Sequence, residues 1–218
     1  MSEERAWIAE AEEMVLRIGP LPPRVAAAMR TVPRHRFVPA TFRDRAYDDE
    51  PLPVGRGEST ISAPHMVALQ LEWSELQENL DVLEIGSGSG YLLALIAELV
   101  APRGRVDGIE IDPQLAELAR RTLRGLGYGS RVSVLTGDAH DALPRNARYA
   151  RILVSCAAPE ILPVWRTALE PEGILVVPLG DRWEQTLTRV KMRDGRETIE
   201  EGPQCRFVPL KSSRGPDI

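Results

Sequence analysis

Three glycines at alternate positions, in the run GSGSG at residues 86–90, restrict the fold more than any other feature of the sequence. The segment before them, residues 81–86, is short and apolar and predicts a buried strand. The segment after them, residues 91–100, is apolar nearly all round and has the length of a buried helix. A strand, a glycine turn and a helix in this order open a βαβ unit, in which backbone amides can approach a ligand closely.

Strand-like and helix-like segments alternate along the rest of the chain. We predict further strands at residues 106–111, 132–136, 151–157, 173–179, 185–192 and 205–210. Helices are expected at 113–126, where Asp112 is the N-cap, and at 159–169. This alternation predicts an α/β fold, with a mostly parallel sheet covered by helices on both faces. The Asp194-Gly195 turn between the last two segments predicts an antiparallel edge.

The first 80 residues follow a different pattern. Helices are expected at 3–18, 23–31 and 66–76, and residues 45–64 form a long loop of a kind that is usually functional. No linker separates this part from the sheet. We therefore predict a single domain over residues 1–218, which comprises an N-terminal helical cap with a substrate loop (1–80), a cofactor-binding sheet (81–210) and a tail (211–218).

Charge and composition exclude several classes of function. The 218 residues include 27 basic and 32 acidic ones, and the net charge of −5 argues against nucleic acid as a partner. No apolar run is long enough to span a membrane, and the acidic N-terminus does not resemble a secretory signal, so we expect a cytoplasmic protein without a membrane partner. Cys156 and Cys205 are expected to be reduced, and no Cys/His cluster indicates a metal. No spare apolar stripe is evident, and we expect a monomer.

Acidic residues follow three successive predicted strands. Glu84 precedes the glycine turn, Glu110 lies 20 residues after its last glycine, and Asp138 follows the third strand, with His140 expected to be exposed just beyond it. The glycine spacing departs from the dinucleotide pattern, and Glu84 would repel a pyrophosphate but suits an ammonium. Glu110 could accept from a ribose diol and Asp138 from an adenine amine. These groups match S-adenosylmethionine in chain order, whereas the glycine turn alone would fit any α/β protein.

The second distinctive motif is TISAPH, at residues 60–65. It offers the hydroxyls of Thr60 and Ser62 and the imidazole of His65 near a helix start. Taken alone, a serine before a proline and a helix is more often a helix cap. No G-x-S-x-G elbow accompanies it, so a Ser/His/Asp triad is not indicated.

The combined motifs resemble the protein-L-isoaspartate O-methyltransferase family of class I S-adenosylmethionine-dependent methyltransferases. TISAPH and VLEIGSGSGY carry the resemblance, which extends from about Arg24 to Leu210. Further matching segments are VPRHRFVP at 32–39, AY at 46–47, PLP at 51–53, AAPE at 157–160 and RFVPL at 206–210.

This resemblance implies a Rossmann-like fold and a reaction. The family transfers a methyl group from S-adenosylmethionine to the free α-carboxylate of L-isoaspartyl residues in damaged proteins and peptides, and releases S-adenosylhomocysteine. The methyl ester then collapses to a succinimide. The family's catalytic serine corresponds to Ser62, and its substrate contacts correspond to Ser62, Phe207, Val208 and Pro209. Its cofactor contacts correspond to Thr60, Ile61, His65, Glu84, Gly86, Ser87, Gly88, Glu110, Asp138 and Ala139.

One departure from the family pattern lies beside TISAPH. The run from Gly55 to Ser62 is one residue longer than usual, with Glu58 and Ser59 in place of a glutamine. It motivates an alternative, a related enzyme that methylates an aspartate in a dedicated peptide partner. A non-catalytic binding module is a further alternative, against which the cofactor acids and Ser62 argue. A small-molecule methyltransferase would share the glycine turn but not TISAPH.

Overall fold

The computed structural model of the chain describes residues 3–55 and 57–213. Its helices are α1 (Glu3–Ile18), α2 (Pro23–Thr31), α3 (Pro64–Trp73), α4 (Tyr91–Leu99), α5 (Pro113–Gly125) and α6 (Pro163–Ala168), with 3-10 helices at Arg34–Phe37 and Ala40–Arg45. Its strands are β1 (Leu52–Pro53), β2 (Thr60–Ile61), β3 (Val82–Ile85), β4 (Val106–Glu110), β5 (Val132–Thr136), β6 (Tyr149–Val154), β7 (Leu169–Gly180), β8 (Gln185–Arg193) and β9 (Arg196–Cys205). None of the described helices is both long and apolar enough to cross a membrane.

Strands β3 to β9 form one seven-stranded sheet in the order β5-β4-β3-β6-β7-β8-β9. Strands β3 to β7 are parallel to one another. Strand β8 is antiparallel to both β7 and β9. The hairpin between β8 and β9 turns at Asp194 and Gly195, which both have the positive φ that a tight hairpin needs. The predicted mostly parallel sheet with an antiparallel edge is therefore confirmed.

Apolar cores lie on both faces of this sheet. In β3, Val82 belongs to the core under the helical cap, whereas Leu83 and Ile85 belong to the opposite core around Trp165. Because side chains alternate along a strand, Glu84 lies on the same face as Val82. Helix α5 is amphipathic, and the Asp112 carboxylate accepts from the amides of the first helical turn, as predicted for its N-cap.

The N-terminal cap shares its core with the sheet. Met14 and Met29, from α1 and α2, lie in the same apolar cluster as Leu93 of α4. The long loop before α3 contains the antiparallel β1–β2 pair, in which Leu52 lies opposite Ile61. The described part of the loop carries TISAPH to the carboxyl edge of the sheet. The boundaries at residues 80 and 210 stay predictions.

Two predicted elements are wrong in their placement. The last strand is Arg196–Cys205, and residues 206–210 leave the sheet apart from a single parallel bridge between Pro209 and Ala157. The sequence does not indicate β9 because this strand lies at the edge of the sheet, where its side chains are polar and exposed and show no apolar alternation. Helix α6 begins at Pro163, later than the predicted start at residue 159, because a proline lacks the amide hydrogen that an interior helical position needs and suits the first turn.

Candidate active site

A cavity of about 670 Å³ opens at the carboxyl ends of β3, β4 and β6, and the strand order changes direction between β3 and β6. Ligands of open α/β sheets bind at such a switch point. The lining of the cavity comes from the segments that follow β3, β4, β5 and β6 and from the C-terminal segment. It includes Gly86, Gly88, Glu110, Ile111, Gly137, Ala139, Ser155, Cys156, Pro209 and Lys211.

The glycine turn forms the floor of this cavity. Gly86, Gly88 and Gly90 all have positive φ, which side chains other than glycine rarely adopt. A Cβ at Gly90 would lie 3.1 Å from Leu123 Cδ1, so the turn can pack against α5 only without a side chain. No side chain caps the start of α4, which leaves its first amides directed at the cavity edge.

Glu84 is almost fully buried, with 2% of its surface exposed. Its Oε1 accepts from Ser155 Oγ at 2.8 Å, whereas its Oε2 has no partner. Burial raises the pKa of Glu84 to about 8, which the bond from Ser155 opposes and the charge of Glu110 reinforces. The side chain borders a second cavity of about 370 Å³, which Ser62 and Ser87 also line. An unpaired buried carboxyl group of this kind fits an ammonium.

Glu110 is held at the rim of the larger cavity. Its Oε2 accepts from the Gly88 amide at 2.8 Å and its Oε1 from the Asp112 amide at 2.9 Å. Burial raises the pKa of Glu110, and these two amides oppose the shift. Because a carboxylate oxygen can accept more than one hydrogen bond, each oxygen keeps capacity for a hydroxyl. This geometry fits the predicted ribose contact.

Asp138 is not among the residues that line the cavity, and its predicted contact with an adenine amine stays a prediction. Its Oδ1 accepts from the amide and ring of His140, and its Oδ2 accepts from Ser212 Oγ and from the amide and hydroxyl of Ser213. Burial raises the pKa of Asp138, but these bonds outweigh it and keep the pKa below its ordinary value. Ala139 lines the cavity as predicted, and His140 is half-buried, not exposed.

Ser62 lies between the cavity that Glu84 borders and an open groove. It lines the cavity that contains Glu84 and also a groove of about 660 Å³ that Phe207 and Val208 border. Thr60 lies on both, and Ile61 lines the first. The structure brings together Thr60, Ile61, Ser62, Glu84, Gly86, Ser87, Gly88, Glu110, Ala139, Phe207, Val208 and Pro209 along these connected cavities.

His65 lies away from the cofactor cavity. It borders the open groove, and its Nδ1 lies 2.8 Å from the Asp49 carboxylate, which also accepts from the His65 amide at 2.9 Å. Helix α3 begins at Pro64 and turns the imidazole outward. The predicted contact of His65 with the cofactor is therefore not supported by this arrangement.

Arg34 is a residue of the site that the sequence analysis did not single out. It is fully buried, donates through Nε to the Ala46 carbonyl at 2.7 Å and through Nη2 to the Ser62 carbonyl at 2.9 Å. Its guanidinium lies 5.0 Å from the centre of the Tyr91 ring. An arginine inside the apolar segment VPRHRFVP was the available signal, because buried arginines are rare unless they are paired.

Comparison with known proteins places the chain in a family. The family model described as protein-L-isoaspartate(D-aspartate) O-methyltransferase matches residues 18–215. The chain belongs to this family. A protein-L-isoaspartate O-methyltransferase of Methanopyrus kandleri is 49% identical over 193 residues, covering 88% of this chain and 85% of that relative. One of Hyperthermus butylicus is 44% identical over 227 residues, covering 98% and 94%.

Solved structures agree with this membership. A protein-L-isoaspartate O-methyltransferase of 27% identity has a TM-score of 0.86 and covers 95% of this chain and 67% of its own. A Plasmodium falciparum protein in complex with S-adenosylhomocysteine, at 22% identity, has a TM-score of 0.82 with coverages of 94% and 98%, which supports the fold. The chain is thus an S-adenosylmethionine-dependent methyltransferase with the predicted Rossmann-like fold.

Proposed function

We propose that this enzyme methylates the free α-carboxylate of L-isoaspartyl residues in proteins and peptides, with Ser62 as its catalytic residue. The position of Ser62 carries the proposal. This residue borders the cavity of Glu84 on one side and the open groove of Phe207 and Val208 on the other. A carboxylate presented from a polypeptide in the groove would therefore meet the cofactor at this serine.

The chain offers a matching group for each part of S-adenosylmethionine. Glu84 would hold the ammonium, the amides of the glycine turn the carboxylate, and Glu110 the ribose. Gly137, Ile111 and Ala139 leave an apolar slot for the adenine. When bound, S-adenosylmethionine supplies a methyl group on a positively charged sulfur.

Acid–base catalysis has little to contribute here, because a carboxylate is already ionised at neutral pH. The enzyme has to orient this nucleophile and remove its water. The Ser62 hydroxyl can donate to one carboxylate oxygen and leave the other free to react. Arg34 acts as a positioning residue, since it fixes the Ser62 backbone without lining the groove.

The far wall of the groove is the extended segment from Phe207 to Pro209. Two hydrogen bonds to Ala157 hold this segment. The Ala157 amide donates to the Val208 carbonyl at 2.8 Å, and the Ala157 carbonyl accepts from the Leu210 amide at 2.8 Å. The Phe207 amide donates to Gln185 Oε1 at 2.7 Å. A wall fixed by main-chain bonds can bind many peptide sequences, as repair of damaged proteins requires.

The proposal is tested with methyl-labelled S-adenosylmethionine and two peptides that differ only in an Asp or isoAsp linkage. We expect label in the isoAsp peptide alone, and formation of a succinimide after it. Equal labelling of both peptides would contradict the proposal, because the enzyme would then not distinguish the isoAsp linkage. Labelling of neither would also contradict it and would favour the alternative, an aspartate methyltransferase that accepts only a dedicated peptide partner. Binding of S-adenosylhomocysteine, measured by calorimetry, confirms that the sample is folded and able to bind cofactor.

A further inference from the structure

A second cleft, of about 890 Å³, continues from the open groove. The two share Thr60, Phe207 and Val208, so a polypeptide in the groove passes directly into the cleft. Its outer walls are Glu58 on the loop between β1 and β2, and Arg182 with Trp183 on the loop between β7 and β8. Arg206 lies at the junction, because it lines both the groove and the cleft.

Hydrogen bonds hold the Trp183 turn in place. The Asp181 carboxylate accepts from the amides of Trp183 at 2.7 Å and of Glu184 at 3.0 Å. Gln185, with 1% of its surface exposed, bonds to the Asp181 carbonyl and to the Phe207 amide. The turn is thereby tied to the wall of the groove, and Trp183 stays 67% exposed beside the cleft. The exposed indole ring therefore offers apolar surface at the edge of the cleft.

The cleft has an excess of positive charge although the chain carries −5. Arg182 lies 3.9 Å from Glu58 and 5.2 Å from the centre of the Trp183 ring. At that length, and with both side chains at least half exposed, this ion pair is weak. Arg206 makes no ion pair or hydrogen bond with any residue in the described parts of the chain. Two guanidinium groups thus face one carboxylate, beside a groove that receives an anion.

We propose that this cleft is a subsite for an acidic side chain of the substrate, within about three residues of the isoaspartyl linkage in an extended chain. Arg206 and Arg182 bind the side-chain carboxylate, and Trp183 packs against its methylene groups. Glu58 competes with that carboxylate for Arg182. Glu58, which departs from the family pattern just before TISAPH, thereby takes part in substrate choice. This inference rests on the proposed function and adds a specificity to it.

The test uses isoAsp peptides that carry Glu, Gln or Lys at each of the three positions on either side. Glutamate is used because a flanking aspartate would add a second site of isomerisation. At one or more positions we expect kcat/KM to be about three- to tenfold higher with Glu than with Gln, and lowest with Lys. The preference should shrink as salt is raised, because exposed charges are screened.

Two variants, one of them a double substitution, and one control assign the preference to the cleft. Arg182→Gln with Arg206→Gln should bring the Glu-to-Gln ratio within about twofold of unity, whereas Glu58→Gln should raise it about twofold. Arg196→Gln is the matched control. It removes the same charge from the exposed hairpin at the opposite end of β9 and should leave the ratio unchanged.

The outcomes separate this inference from the function on which it rests. Equal rates for all isoAsp peptides, or a ratio that survives loss of both arginines, would overturn the subsite and leave isoaspartyl methylation standing. A lower rate with Glu than with Gln would also overturn it. Methylation of no isoAsp peptide would overturn the proposed function and the subsite together.

Discussion

The two ends of the active site are built in different ways. At the cofactor end, Glu84 and Glu110 are buried acids on strands, and backbone amides or a serine hydroxyl hold them. At the substrate end, Arg182, Trp183 and Arg206 project from loops and are exposed. A buried group interacts strongly with its ligand because water does not screen it. We therefore expect large effects at the cofactor end and graded effects toward the outer cleft.

The largest effect is expected for Glu84→Gln. Removing the carboxylate leaves a buried ammonium without its counter-charge, and loss of one partner of such a pair costs about 2–5 kcal/mol. The affinity for S-adenosylhomocysteine, which carries the same ammonium, should fall about 100-fold or more by calorimetry. The free energy of unfolding without ligand should rise at neutral pH, because glutamine, unlike Glu84, needs no bound proton to be neutral in this buried site. An unchanged affinity would place the ammonium elsewhere.

Ser62→Ala should lower the rate of methyl transfer without weakening cofactor binding. We expect kcat on an isoAsp peptide to fall about 10- to 100-fold, the scale of one hydrogen bond to a charged group. The affinity for S-adenosylhomocysteine should stay within about twofold, because other residues hold the cofactor. Thr31→Ala is the matched control, since its hydroxyl bonds only within α2. Full turnover by the Ser62 variant would remove Ser62 from the mechanism.

The raised pKa of Glu84 predicts opposite pH trends for stability and for ligand binding. Between its ordinary value of 4.5 and about 8, the folded chain holds a proton that the unfolded chain has lost. The free energy of unfolding therefore falls as pH rises through this window. Pairing with an ammonium requires the deprotonated form, so affinity for S-adenosylhomocysteine should rise about 50-fold from pH 6 to pH 8. Glu84→Gln should abolish both trends, and trends that persist in it would have another source.

The smallest of these effects is expected where the C-terminal segment meets Asp138. Ser212→Ala with Ser213→Ala removes two hydroxyl donors but keeps the Ser213 amide bond. Chemical denaturation should show a loss of about 1–3 kcal/mol, with affinity for S-adenosylhomocysteine within about threefold. A loss of affinity comparable to that of Glu84→Gln would show that this segment shapes the cofactor site directly.

Much of the cofactor end could be predicted because its signals are local. Asp112 caps α5 through bonds to amides two and three residues away, and β5 keeps its predicted bounds. The glycine turn and the acids at strand ends follow the same short-range logic. Such features depend on backbone geometry within a few residues, which the order of residues determines.

The remaining features depend on contacts between distant parts of the chain. Asp138 is saturated by residues 74 and 75 positions away, so its availability to a ligand could not be seen locally. The bond from Arg34 to Ser62 spans 28 positions, and that from Gln185 to Phe207 spans 22. The polar edge strand β9 lacks an apolar pattern, and its placement depends on pairing with β8.

A crystal structure with S-adenosylhomocysteine and an isoAsp peptide tests the central claim most directly, that both ends meet at Ser62. We expect Ser62 Oγ within hydrogen-bond distance, about 2.6–3.2 Å, of the isoaspartyl α-carboxylate, with the ligand's ammonium on Glu84. A carboxylate bound out of reach of Ser62, or an ammonium bound away from Glu84, would contradict it.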